Sequence, residues 1–210
     1  MMNRMLSAVI LTLSVQSVGA VELFNGRDFT GWELQTTPAA AIGEVFHVLP
    51  DGVIASEGKP SGFLATTQSY RNYKLHVEWR WTGKPGNSGV LLHISPGQMD
   101  RVWPYSLQVQ TKFGNVGDLL PMAGGSFAEP LTSAAGAEPR IKARTAADSE
   151  KPAGEWNSCD IVARDGTVEV TVNGVPQNRA TQVLPSSGKV GFQLEGTPYQ
   201  LRHVELTPLD

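Results

Sequence analysis

Cysteine is nearly absent. The single Cys159 in 210 residues cannot close an internal disulfide, so an exported domain of this sequence must be held by its apolar core. No cysteine cluster with metal-ligand spacing exists either. Cys159 alternates with Ile161 in WNSCDIVA and reads as a small apolar residue facing that core rather than as a nucleophile. Basic runs are also missing. Lys and Arg number 17 against 20 Asp and Glu, a formal net charge of -3, and without clustered cations the chain has no footprint for nucleic acid. Long apolar runs are confined to the amino terminus. Arg4, the stretch Leu6 to Val18 and the small-residue pattern Val18-Gly19-Ala20 read as a secretory signal over 1–20. Ser7, Ser14, Gln16 and Ser17 interrupt that stretch, which falls short of the about 20 apolar residues a membrane span needs. One mature domain over 21–210 is therefore expected, periplasmic or secreted and without a membrane span. Helix signals are scarce too, with none of usual length between Val21 and Gln110.

What remains is a succession of short strands and turns. In KLHVEWRW, VLLHI and SLQVQ, apolar residues recur every second position. Leu75, Val77, Trp79, Trp81, Val90, Leu92, Ile94, Leu107 and Val109 then face a core. His76, Glu78, Arg80, His93, Gln108 and Gln110 share the opposite face if the three strands are neighbours. Asp51-Gly52, Asp165-Gly166 and Asn173-Gly174 sit between β-branched or aromatic runs and predict tight hairpins. In ELFNGRDFTGWE, Asn25-Gly26 marks a turn, and Phe29 and Trp32 suit an edge that packs aromatics onto a sheet. The segment from Thr111 to Glu155 is rich in Gly, Ala, Pro and Ser; it is either a lid over the polar face or a surface excursion. Ten to thirteen short strands with no repeat or linker give an all-β fold, an antiparallel two-sheet β-sandwich.

The segments LFNGRDFTGW, YKLHVEWRW, GNSGVLLHI, VWPYSLQVQ, GNVGD, EKPAGEWN, VNGVPQN and GFQLEG, in that order, resemble the 3-keto-disaccharide hydrolase domain family. The resemblance implies a concanavalin A-like lectin/glucanase jelly roll and glycoside cleavage. Where this chain has Gln108, the family more often has glutamate. An amide neither takes nor gives a proton at working pH, so two functions stand: a hydrolase of 3-keto-glucosides or disaccharides, and a non-catalytic carbohydrate-binding module.

In a 3-keto sugar the carbonyl acidifies the C2 proton, so one base and one enolate stabiliser suffice. An ordinary glycosidase needs two facing carboxyl groups about 5–10 Å apart. On the inferred polar face only Glu78 is a carboxylate; a two-carboxylate mechanism would require Asp118 or Glu195 to reach in. Glu78 or His93 is therefore the expected base, Arg80 the partner of the oxyanion, and Gln108 and Gln110 the holders of hydroxyls. Trp103 either stacks on a sugar ring or is pinned by Pro104 into the sandwich edge. Asp118 is a candidate for a hydroxyl or a cation. Asn87 reads as shaping the backbone. No cofactor is expected, and the sequence leaves a divalent cation open. A small carbohydrate is the expected partner.

Overall fold

The computed structural model describes residues 19–210; residues 1–18, which hold nearly all of the signal-peptide reading, lie outside them. The strands are β1 Val21–Glu22, β2 Trp32–Thr37, β3 Phe46–Val48, β4 Ile54–Ser56, β5 Ser61–Tyr70, β6 Tyr73–Trp81, β7 Gly89–Ile94 and β8 Met99–Asp100. They continue with β9 Trp103–Pro104, β10 Ser106–Gln110, β11 Leu119–Met122, β12 Asn157–Arg164, β13 Thr167–Val172, β14 Val175–Ala180, β15 Gly188–Leu194 and β16 Tyr199–Pro208. Among the described residues the one α-helical turn is Ile42–Val45. Among the described residues no helix is long and apolar enough to cross a membrane.

Two antiparallel sheets make the sandwich. The first runs β14-β13-β12-β6-β16-β4-β3, with β1 also on β16; the second runs β11-β10-β7-β15-β5-β2. The predicted hairpins pair, Val48 with Ile54, Arg164 with Thr167, and Val172 with Val175, but the first is not the tight turn expected at Asp51-Gly52: it closes through the longer loop 49–53, where Gly52 but not Asp51 has positive φ. At the last two, Asp165-Gly166 and Asn173-Gly174 all have positive φ, as a two-residue primed turn requires. Asn25 instead turns the chain through its side chain, accepting the amides of Arg27 and Asp28. On either side of that turn Phe24 and Trp32 stack, ring centres 4.1 Å apart, at the edge of the second sheet.

The period-two reading of the core holds with one exception. Leu75, Val77, Trp79, Trp81, Val90, Leu92, Leu107 and Val109 join one cluster between the sheets, together with Cys159 and Ile161. Ile94 does not. Lys189 pairs with Ile94 and Gly191 with Leu91, so Leu92 and His93 together oppose the single Val190. That β-bulge, with His93 at φ 57, turns His93 inward beside Leu92 and sends Ile94 to the other face, where it packs with Phe63, Ala65 and Leu91.

A larger correction concerns the neighbours. β6 lies in the first sheet between β12 and β16, whereas β7 and β10 are adjacent in the second. The connection 82–88 crosses the sandwich edge instead of reversing within one sheet. The three polar stripes therefore do not share a face.

Candidate functional site

Glu78, Arg80 and His76 lie on the outer face of the first sheet, each engaged there. Arg202 Nε donates to Glu78 Oε2 at 2.5 Å, Arg80 Nε donates to Gln200 Oε1 at 2.7 Å, and His76 Nδ1 meets Asp160 Oδ1 at 2.6 Å. The guanidinium carbons of Arg80 and Arg202 stand 4.5 and 4.2 Å from the Trp156 ring centre. These side chains are held by ion pairs, hydrogen bonds and cation–π contacts, and none of them lines the cleft on the other sheet.

His93 is also removed from the expected face. Its ring meets the Tyr73 ring edge-on at 5.6 Å, its Nδ1 faces the Pro185 carbonyl at 3.0 Å, and its Nε2 is buried without a partner. Burial pushes its pKa down to about 4. It is a neutral core histidine.

The other four predicted residues converge. Gln108, Gln110, Trp103 and Asp118 line a cleft of about 320 Å³ on the outer face of the second sheet, with Asn87, Arg101, Lys112, Gln193 and Glu195. Gln108 and Gln110 rise from β10 and Gln193 from β15, all at outward positions. Between those strands β7 presents Gly89, where a Cβ would stand 2.7 Å from Gln108 Cγ and Nε2. Its bare backbone leaves room for Gln108 to reach across a whole strand. Gln108 Nε2 donates to Gln193 Oε1 at 3.0 Å and to Gln110 Oε1 at 2.8 Å.

The network ends on Glu195, just past β15 at the solvent-open mouth. Its Oε2 accepts Gln193 Nε2 at 2.6 Å and Asn87 Nδ2 at 2.8 Å. Desolvation against the wall raises its carboxyl above the usual range, opposed by Lys112, Arg101 and the Gln193 hydrogen bond. Asp118 is deeper, 3% exposed, and its Oδ1 accepts the Arg144 amide at 2.8 Å. Burial raises its pKa too, opposed by that amide and the Arg144 charge. Four carboxyl groups thus line the cleft, Asp100, Asp118, Glu138 and Glu195, and Glu78 is not among them. Two acceptors, Gln108 Oε1 and Asn87 Oδ1, are buried with no protein partner, a state that favours a ligand bearing hydroxyl donors.

Trp103, only 7% exposed, is fixed in the separate two-strand ribbon of β8 and β9 and lines the cleft. The long segment from Thr111 is in part a wall of the site, since Glu138, Pro139, Arg140 and Ile141 line it. Gln193 was not singled out from the sequence, and Glu195 was named only as a possible second carboxylate, although the signal was present: in GFQLEG they alternate with Phe192 and Leu194, as Gln108 and Gln110 do with Leu107 and Val109. Arg101 and Lys112 sit on loops and left no such pattern.

Donor atoms spaced for a metal ion occur among the described residues in Glu22, His203 and Glu205, within 4.8 Å of one another. That exposed group is on the first sheet, away from the cleft.

Residues 19–207 match one family over nearly the whole described chain. The chain belongs to the 3-keto-alpha-glucoside-1,2-lyase-like domain family. Solved structures carry the same fold. A Parabacteroides distasonis ATCC 8503 protein, provisionally assigned as a glycosyl hydrolase, is 24% identical with TM-score 0.66, covering 91% of this chain and 94% of its own. The carbohydrate binding module CBM66 of Bacillus subtilis is 9% identical with TM-score 0.56, covering 84% and 95%. A galectin-like Bacillus subtilis protein of unknown function is 12% identical with TM-score 0.56, covering 91% and 95%. No functionally curated protein matches the chain. At these identities the neighbours establish the jelly-roll sandwich, an architecture shared by binding modules and hydrolases.

Proposed function

We propose that this protein is an exported enzyme that cleaves 3-keto-glucosides, with Glu195 as the base. The observation that carries the reading is a sugar-sized cleft in which one carboxylate is fixed by two amides on Oε2, leaving Oε1 free, with Arg101 and Lys112 close by. Glu195 takes the C2 proton, and the electrons pass to the C3 oxygen, giving an enolate that the Arg101 or Lys112 cation stabilises. The enolate re-forms the carbonyl as the C1–O bond breaks, and the departing alcohol takes up a proton. Water then adds across C1 and C2, oxygen to C1 and hydrogen to C2. The net change is hydrolysis. Gln108 Oε1, Asn87 Oδ1 and Asp118 accept sugar hydroxyls, and Trp103 forms an apolar wall.

The test is incubation of purified protein with a 3-keto-glucoside while the keto-sugar absorbance is followed. Glu195→Gln is expected to lower kcat/KM by at least about 100-fold, the usual scale of a lost general base. Glu78→Gln is expected to leave it unchanged. Full activity in Glu195→Gln would refute the assignment.

A second reading, a non-catalytic carbohydrate-binding module, is favoured by the non-titrating Gln108 at the centre of the floor. Saturable binding of an unoxidised disaccharide with no turnover of any keto-sugar would select it.

A further inference from the structure

We infer that Gln108 is a positioning residue: its amide sets the direction of a hydrogen-bond relay across β7 that holds Glu195 as an acceptor. Only the catalytic consequence rests on the reading of Glu195 as base; the relay is a claim about hydrogen bonds alone.

Each link constrains the next. An ionised carboxylate can only accept, so Gln193 and Asn87 must both turn their NH2 groups to Glu195. Gln193 then presents its carbonyl toward β7, which requires a donor there. Gln108 supplies it and spends its second N–H on Gln110, so that its own carbonyl is left bare. The relay therefore runs one way, from the buried floor to the mouth.

A carboxylate at position 108 has no N–H to give. Gln193 would turn its NH2 inward and its carbonyl outward, and Glu195, now facing a carbonyl, would hold a proton instead of accepting one. The other charged groups around the cleft are Arg101, Lys112, Arg140, Asp100, Asp118 and Glu138. None hydrogen-bonds to Glu195 or Gln193, so they form a background that a change at 108 leaves in place.

The experiment is a carbon-13 carboxyl NMR titration of Glu195 in the full-length protein. Gln108→Glu is expected to raise the Glu195 midpoint by about one pH unit, the equivalent of one net hydrogen bond. Simple repulsion by the new charge would do the same with or without Gln193, so Gln108→Glu is repeated in a Gln193→Leu background. The relay requires the rise to shrink by more than about half there. Gln108→Leu adds no charge and serves if the glutamate variant does not fold; it should give a smaller rise with the same dependence on Gln193. No rise, or equal rises in both backgrounds, overturns the inference. The catalytic reading is judged separately, by whether the acid limb of keto-glucoside turnover follows the NMR midpoint. A midpoint that moves in a protein with no turnover leaves the relay standing and removes the reading of Glu195 as base.

Discussion

His93 shows how one backbone torsion changes a residue's role. With φ at 57 and two β7 residues opposing Val190, the imidazole turns into the sandwich and loses its access to water. Burial then holds its pKa near 4, against an ordinary value of 6.5. As pH falls through 6.5 the unfolded chain takes up a proton that the folded one refuses until about 4. Stability should therefore be unaffected by this group above pH 7 and decline as pH drops from 6.5 toward 4, by about 3 kcal/mol at the limit. Urea unfolding of wild type and His93→Asn across that window measures it. Asparagine tolerates the left-handed backbone and carries no charge, so the variant should lose less stability on acidification. Parallel curves would contradict the assignment of a neutral buried ring.

Among the elements, β7 has the largest consequence for the site. It separates the glutamines of β10 from Gln193 on β15, and only the missing side chain at Gly89 lets Gln108 pass over it. Gly89→Ala should displace the Gln108 amide and cut kcat/KM by about tenfold, the effect of losing a hydrogen bond of about 1.4 kcal/mol. Because Gly89 is not at a positive φ, the backbone accepts alanine, and the urea midpoint should move little. Loss of activity together with gross unfolding would instead mark Gly89 as purely structural. The hairpins were the most legible elements, because Asp-Gly and Asn-Gly admit the positive φ values a primed turn needs. The bulge at His93 was not legible: it leaves the composition of VLLHI unchanged and reverses the strand only at its last residues.

On the scale of the whole molecule, the sandwich has two outward faces with different uses. One carries Trp156 between Arg80 and Arg202; the other is open as the cleft. Trp156→Ala should cost about 1–2 kcal/mol in unfolding experiments, the sum of two cation–π contacts, and leave carbohydrate titrations unaltered. Quenching of tryptophan fluorescence by ligand should persist in Trp156→Phe and vanish in Trp103→Phe. Dependence of the quench on Trp156 would place ligand on the wrong sheet. The sequence by itself determined the all-β sandwich, the tight turns at Asp165-Gly166 and Asn173-Gly174, the core residues of the central strands apart from Ile94, and the family through its ordered segments. Apart from His93 and Ile94 at the bulge, it also assigned the central-strand residues to the inner or outer side of their own strands, since side-chain direction follows the two-residue repeat of the backbone. Only the tertiary structure decided which sheet each strand joins. The seven residues 82–88 are compatible both with reversal in one plane and with crossing the roughly 10 Å between packed sheets, and the two routes leave the same alternating pattern. That choice separated Glu78 and Arg80 from Gln108 and Gln110, and it brought Glu195, distant in sequence, to the cleft instead.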